Sequence, residues 1–268
     1  MDQLQSGGTP SIVLKGGGDP TVHPRICYML YLGRDAGLKI GLITNGSLPF
    51  AGTHQAIIDC TQWVRFSVDA ATADTHHHIH GYNEFTKVID HIAYLTGHVK
   101  NTLIGMDFVT EQRNYDQIIA FAELVKILGA AYVTIRCVFD PANPLSQDVC
   151  RTMRKQAVET KRLSDDAFSV FLGNFSDGYL DQDPNRPFAY EKCLGPNLVG
   201  VVGADGEVYA CCFLRGNKQF SFGNIQEERF DTIWYSQRRA QVMQAIYRGA
   251  CGYICQGGMT ANRDHVYN

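Results

Sequence analysis

The chain has 268 residues, of which 45% are hydrophobic and 19% are charged, and its formal net charge at pH 7 is −3. This length and composition exclude a disordered protein and allow one α/β domain, with or without a small second domain. The slight negative charge gives no reason to expect nucleic acid as a partner, and no apolar run approaches the roughly 18 residues that a membrane span needs. The N-terminus lacks the basic region and apolar core of a signal peptide, so we expect a cytoplasmic protein.

Short apolar runs alternate with longer amphipathic ones, which is typical of parallel strands joined by helices. Strands are predicted at residues 11–15, 38–44, 63–68, 102–109, 132–138 and 168–172. Helices are predicted at residues 25–36, 53–60, 83–96, 115–128 and 146–163. Gly and Asp are frequent in the loops after the strands, where parallel sheets keep their functional sites.

A second domain is predicted after the aperiodic stretch 175–186, which is rich in Asp, Gly, Asn and Pro. The first domain then covers residues 1–174 and the second covers residues 175–268. Residues 198–202 and 208–210 predict a β-hairpin, because Asp205-Gly206 between them suits a tight turn. Short helices are predicted at residues 230–235 and 238–248.

Five of the nine cysteines lie in this second domain, at Cys193, Cys211, Cys212, Cys251 and Cys255. The hairpin brings Cys193 and Cys211 together, and the last two, four residues apart, supply a second thiolate pair. Strand parity favours Cys211 over Cys212 as the inward side chain. Two converging pairs suit an iron–sulfur cluster or a tetrahedral zinc ion, and these residues do not decide between them. A disulfide or unlinked buried cysteines are the alternatives.

A glycine run, Gly16-Gly17-Gly18, follows the first predicted strand and precedes Asp19. Three glycines let a ligand approach the backbone without any Cβ in the way, and Asp19 suits an ammonium group. The alternative is a mobile turn. A phosphate loop is disfavoured, because the Gly-Lys-Ser/Thr ending is absent.

These motifs resemble those of radical S-adenosylmethionine (radical SAM) enzymes. Residues 15–24 are similar to that family's Gly-Gly-Glu-Pro-Thr motif followed by His-Pro, with Asp19 in place of the usual Glu. Further similar segments follow in the family's order, at residues 43–46, 64–70, 108–115 and 132–136. The spacing Cys193-x12-Gly206-x4-Cys211 resembles the family's C-terminal module, called twitch, or SPASM when larger.

The resemblance implies a partial parallel (βα)6-type barrel and a small cysteine module. The family's Cys-x3-Cys-x2-Cys motif is absent from this sequence, so we expect the first β–α unit of the barrel to be missing. A partner chain or a dimer contact is then expected to cover the open barrel edge.

The resemblance also implies a set of ligand contacts. Gly16, Gly17, Gly18 and Asp19 match the loop that holds the amino group of S-adenosylmethionine, and Ser67, Asp69 and Arg136 match residues around the same cavity. The alternatives are that Ser67 and Asp69 cap the next helix, and that Arg136 pairs with a carboxylate such as Asp107.

The implied function is that of an oxidoreductase. A complete enzyme would generate a 5′-deoxyadenosyl radical and abstract hydrogen from a small molecule or a peptide. An auxiliary [4Fe–4S] cluster held by Cys193, Cys211, Cys251 and Cys255 would relay an electron. This chain alone is expected not to cleave S-adenosylmethionine, as a fragment, a split enzyme or an inactive homologue. The alternatives are a non-catalytic binding or scaffold protein and a zinc-stabilised α/β protein.

Four histidines, His76, His77, His78 and His80, are predicted to lie in a solvated loop after the third predicted strand, with metal binding as the alternative. His80-Gly81 matches a stretch that is usually Arg-Gly in the family. Trp63 and Trp234 are predicted to be core residues.

Overall fold

The computed structural model describes residues 1–48, 51–138, 140, 142–173, 175 and 192–247. The chain divides into two compact units. The first contains residue 1 and residues 9–183, and the second contains residues 2–8 and 184–268. Almost all of the predicted boundary stretch, 175–186, lies outside the described residues, as do Cys251 and Cys255.

The first unit is built around a six-stranded sheet whose strand order follows the sequence. Every neighbouring pair of strands in it is parallel, which confirms the predicted α/β class. The strands are β1 (Ser11–Leu14), β2 (Lys39–Thr44), β3 (Trp63–Ser67), β4 (Leu103–Thr110), β5 (Tyr132–Cys137) and β6 (Ser169–Gly173).

Helices follow the strands, and five of them lie where the periodicity predicts. The helix between residues 73 and 80 was not predicted. Counted from the N-terminus, the helices are α1 (Asp2–Ser6), which belongs to the second unit, and α2 (Ile26–Asp35), α3 (Thr53–Cys60), α4 (Ala73–His80), α5 (Phe85–His98), α6 (Ile118–Ile127) and α7 (Gln147–Thr160).

One face of the sheet packs against the helices and forms the main core. Side chains alternate between the two faces of a strand, so every second residue of β3, β4 and β5 enters this core. Val64, Phe66, Met106, Phe108 and Ile135 are all fully buried there. The intervening residues lie on the opposite face, called here the inner face. They include charged and aromatic side chains.

Glycines on the inner face leave room for large rings. A Cβ built on Gly41 would overlap the Trp63 ring, and one on Gly105 would overlap the Tyr132 ring. Trp63 is therefore half-buried on the inner face, and its prediction as a residue of the main core is wrong.

In the described part of the sheet, β1 pairs only with β2 and so forms an edge. Its backbone groups on the other side are available for a further strand or a partner. A partner at this edge stays a prediction.

The second unit contains a three-stranded antiparallel sheet. The predicted hairpin is present with shorter strands, and Gly206 adopts the positive φ of +81° that its turn requires. Helix α1 joins this unit, where the Phe230 amide donates to Gln3 Oε1 at 2.8 Å. The remaining elements are β7 (Val201–Val202), β8 (Glu207–Tyr209), β9 (Ser221–Asn224), α8 (Phe230–Trp234) and α9 (Gln237–Tyr247).

Among the helices of the described ranges, none combines the length and the apolar character that crossing a membrane requires.

Candidate functional site

The glycine loop after β1 is tied to the end of β2 by Asp19. The Asp19 carboxylate accepts from the Thr21 amide at 2.8 Å and from the Thr44 hydroxyl at 2.9 Å, and it also accepts from the Asn45 amide. It thereby caps the short 3₁₀ turn Pro20–Val22. These contacts fix where the three glycines stand relative to the sheet. A Cβ on Gly18 would meet no atom of the described residues within 4 Å, so the backbone there is open to a ligand.

Asp19 therefore differs from the simple exposed charge that the sequence suggests. Both of its carboxylate oxygens bind chain groups, and the side chain is half-buried. Binding of an ammonium group by Asp19 stays a prediction, and the same carboxylate would then both bind the ligand and hold the loop. The partners Thr44 and Asn45 were not predicted to act here, because their link to Asp19 bridges 25 residues of sequence.

Ser67, Asp107 and Arg136 meet on the inner face near the carboxyl ends of the strands. Ser67 is paired in register with Asp107, and Arg136 lies on the neighbouring strand opposite Val109. The Arg136 guanidinium forms an ion pair with Asp107, whose side chain is only 2% exposed. The pairing that we considered as the alternative role of Arg136 is thus present.

This ion pair does not use all the polar atoms of its two members. Asp107 Oδ1 and Arg136 Nε are buried, and within the described residues neither has a hydrogen-bond partner. A buried polar atom without a partner is costly, so these two atoms fit a polar ligand at this position.

Asp69 closes the site at the end of β3. Its backbone is left-handed, with φ of +58°, and its Oδ1 accepts from the Val109 amide at 2.7 Å. Burial raises the pKa of the Asp69 carboxyl to about 7, and the nearby Asp107 charge adds to this, while the hydrogen bond from Val109 opposes it. Neither Ser67 nor Asp69 caps the following helix; Thr72 does, by accepting from the Thr75 amide.

Two further residues hold Asp69 in place. The Asn114 amide group is fully buried and donates to the Asp69 carbonyl at 2.8 Å and to the Val109 carbonyl at 3.0 Å. His80 Nε2 lies 3.0 Å from the Val68 carbonyl and 3.6 Å from Asp69 Oδ2. From the sequence, Asn114 was named as part of a similar segment, and His80 as a member of the histidine tract and as a replacement of Arg; neither was predicted to hold Asp69.

The prediction for the histidine tract is wrong in two respects. The tract is helical, in α4, and His76 is 1% exposed, with its ring 4.6 Å from the His80 ring and 5.6 Å from the Phe85 ring. His77 and His78 are exposed, as expected. In the ranges that the structure describes, no group of three or more metal-binding side chains is found.

The second unit presents two of the predicted cysteine ligands beside its own core. Cys193 and Cys211 are half-buried and pack against the cluster that contains Val208, Phe222 and Ile233. An apolar shell of this kind shields a metal centre from solvent. Cys211 lies two residues after the end of β8, and Cys212 begins a short 3₁₀ turn. Cys251 and Cys255 lie outside the described residues, so the joint position of all four sulfurs stays a prediction.

Comparison with known proteins found a family model that matches part of the second unit and relatives that are similar over most of the chain. Residues 193–256 match the SPASM family, described as an iron–sulfur cluster-binding domain, and this range includes all four predicted cysteine ligands. The AdoMet-dependent heme synthase of Methanosarcina barkeri is 25% identical over 96% of this chain and 77% of its own. The mycofactocin maturase MftC of Mycobacterium ulcerans is 23% identical over 92% of this chain and 69% of its own.

Among solved structures, SuiB of Streptococcus suis bound to its precursor peptide SuiA superposes with a TM-score of 0.67 at 16% identity. The alignment covers 89% of this chain and 57% of that SuiB chain, so this chain spans less than two thirds of its structural relative. SuiB has also been solved with S-adenosylmethionine.

The parallel sheet, with its site at the carboxyl ends of the strands, has the fold of the radical SAM proteins. With a match to an iron–sulfur cluster-binding domain at residues 193–256 and similarity to its relatives over most of its length, the chain resembles the twitch/SPASM subgroup of the radical SAM superfamily. The predicted resemblance and the expected iron–sulfur class of cofactor are confirmed at this level.

Proposed function

We propose that this chain supplies the sheet and the auxiliary-cluster module of a radical SAM-type oxidoreductase. The match of residues 193–256 to an iron–sulfur cluster-binding domain carries the proposal, because it coincides with the four cysteines chosen from their spacing. Cys193, Cys211, Cys251 and Cys255 would bind a [4Fe–4S] cluster through all four irons. A fully ligated cluster has no open iron for substrate and is suited to electron transfer.

The site at the carboxyl ends of β1 to β5 is proposed to bind S-adenosylmethionine. Its support is the open backbone at Gly18 and the buried atoms Asp107 Oδ1 and Arg136 Nε, which have no hydrogen-bond partner among the described residues. Gly16, Gly17, Gly18 and Asp19 would hold the amino group, and Ser67, Asp69 and Arg136 would face the rest of the molecule. When bound, S-adenosylmethionine supplies the radical chemistry of hydrogen abstraction. The residues of the chain bind it, orient it and exclude water.

The substrate is proposed to be a peptide or a small molecule. Peptide is supported by the relatives, since SuiB has been solved with a precursor peptide and MftC is named a maturase. The sequence contains no Cys-x3-Cys-x2-Cys. We therefore propose that this chain alone binds S-adenosylmethionine without cleaving it, which is also the behaviour of the alternative, a non-catalytic binding protein.

Metal analysis tests the cluster. After anaerobic reconstitution we expect about four irons and four sulfides per chain. Cys193→Ser and Cys211→Ser should each lose most of the iron. Cys27→Ser, a half-buried cysteine of the first unit, is the matched control and should keep it. Zinc in place of iron, or iron unaffected by the first two substitutions, would disprove the cluster.

Titration calorimetry tests the nucleotide site. We expect S-adenosylmethionine to bind the reconstituted chain and Ser67→Ala to weaken binding about tenfold, the usual effect of losing one hydrogen bond to a ligand with a charged group. Ser169→Ala, at the amino end of β6, is the control and should leave the affinity unchanged. Equal affinities in all three proteins would place the ligand elsewhere. Cleavage of S-adenosylmethionine by this chain alone would contradict the proposal that it binds this ligand without cleaving it.

A further inference from the structure

A cavity opens at the opposite end of the sheet from the candidate site. Its volume is about 520 Å³, and it belongs to the first unit alone. Trp63, Leu103 and Tyr132, which line it, are the first residues of β3, β4 and β5, so the cavity lies at the amino ends of the strands. Cavities of this size bind small organic molecules in many proteins.

Three aromatic rings line the cavity, and two of them pack over glycines of neighbouring strands. Trp63 lies over Gly41 and Tyr132 lies over Gly105, where any larger residue would overlap the rings. Phe171 stands against Tyr132 edge to face, with ring centroids 5.9 Å apart, and it is 54% exposed. Rings fixed in this way offer a preformed surface to an apolar or aromatic ligand.

A single arginine enters this aromatic surface. Arg65 lies in the middle of β3, between Ile43 of β2 and Gly105 of β4, and it lines the cavity. Its Nε is buried, and nothing in the described ranges accepts a hydrogen bond from it. Burial raises the pKa of the Tyr132 hydroxyl, and the positive charge of Arg65 opposes this shift. A guanidinium N–H in such a place favours an anionic partner, and a carboxylate matches its geometry.

We propose that this cavity binds a small monocarboxylic acid with an aromatic or apolar body, its carboxylate on Arg65 and its body against Trp63, Tyr132 and Phe171. Asp166 also lines the cavity and is exposed, so its charge acts against a second negative charge on the ligand. A monocarboxylate therefore fits better than a phosphate dianion. The inference is independent of the proposed function, because it uses neither the carboxyl ends of the strands nor the cysteines.

Tryptophan fluorescence tests the proposal with phenylacetate as the probe. The chain has two tryptophans, so the Trp234→Phe variant leaves Trp63 as the only one, and its emission reports on the cavity. We expect a saturable change on adding phenylacetate. The uncharged analogue phenylacetamide should bind about tenfold more weakly or worse, as expected for the loss of a charge-assisted hydrogen bond.

Two substitutions of Arg65 test whether its guanidinium binds the carboxylate. In the Trp234→Phe background, Arg65→Gln should weaken phenylacetate binding about tenfold and leave phenylacetamide binding unchanged, whereas Arg65→Lys should keep most of the preference for the acid. The comparison of acid and amide needs no substitution at Arg65, so it stands even where Arg65→Gln impairs folding. No response to phenylacetate up to about 10 mM, or equal binding of acid and amide, overturns the proposal.

Discussion

Asp69 is a residue of the candidate site whose ionisation is set by the fold. Its carboxyl faces the Val109 amide, the charges of Asp107, Glu111 and Arg136, and the ring of His80. Burial dominates and raises its pKa to about 7, so the carboxyl gains or loses its proton in the neutral pH range. It can then either donate or accept a hydrogen bond at the site.

Asp69→Asn is expected to remove a pH dependence of stability. The folded-state pKa lies above the ordinary value of 3.8, so the wild-type group stabilises the fold fully at low pH, and this contribution is lost as the pH rises to about 7. Thermal midpoints of both proteins, measured from about pH 5 to 8, check this. The wild-type midpoint minus that of the variant should fall between about pH 5 and 7 and level off above. A constant difference would contradict the raised pKa.

Arg136→Met is expected to destabilise the first unit. The substitution leaves the Asp107 carboxylate, 2% exposed, without its guanidinium partner, at a cost of about 2–4 kcal/mol. Urea unfolding measures the loss, and Arg162→Met, at an exposed arginine after α7, is the control with almost no expected effect. Adding Asp107→Asn to Arg136→Met should recover part of the stability. No recovery would mean that the two residues are not coupled.

Among the elements, two strands of the sheet contain glycines that leave space for aromatic rings on the inner face. Gly41 and Gly105 lie within β2 and β4, where glycine is ordinarily unfavourable, and each has the ring of a neighbouring strand above it. The loss in strand propensity is offset by the packing of Trp63 and Tyr132. This arrangement explains why Trp63 is absent from the main core.

Gly105→Ala is therefore expected to destabilise the protein by about 1–3 kcal/mol, because its Cβ would displace the Tyr132 ring. Gly97→Ala is the matched control. A Cβ at Gly97, within α5, meets no atom within 4 Å in the part of the chain that the structure describes, and alanine there should stabilise the helix by up to about 1 kcal/mol. Chemical denaturation of the three proteins checks both signs. Equal effects of the two substitutions would mean that the overlap is relieved at no cost.

Helix α4 has a local sequence signal at each of its ends. Thr72 caps its start, and Gly81, with φ of +78°, ends it. Thr72→Ala should cost about 1 kcal/mol and increase amide exchange in α4, while Thr72→Ser should keep the cap. Hydrogen exchange measured for the two variants distinguishes these outcomes. Unchanged exchange in the alanine variant would show that tertiary packing of His76 alone holds the helix.

At the scale of the whole molecule, the two units differ in the size of their hydrophobic cores. The first unit has a large core between sheet and helices, whereas the described part of the second has a much smaller one around Phe222. Small cores are commonly supplemented by a metal centre, and metal binding is then coupled to folding.

Removing iron with a chelator is therefore expected to act on the second unit. Amides of β7, β8 and β9 should lose protection against hydrogen exchange, while those of β2 to β5 keep it. The Cys193→Ser variant should show the unprotected pattern before any chelator is added. Protection of β7 to β9 that survives the loss of iron would mean that the module folds without its cluster.

Periodicity determined much of this protein from the sequence by itself. The strands and most helices were predictable because each buries one face, and burial of one face leaves a period in the residues. The glycine loop was likewise visible because its residues are adjacent in the chain, and the cysteines were visible because their residue type and spacing are typical of a metal centre.

Tertiary structure alone decided which contacts the polar side chains make. Arg136 pairs with Asp107 of another strand, and Asp19 accepts a hydrogen bond from Thr44 at the end of β2. The burial of His76 and the place of Arg65 in the cavity likewise depend on residues from other strands or helices. A residue type shows which contacts a side chain is able to make. Which of them forms depends on the register of neighbouring strands, which brings distant residues within a few ångströms of each other.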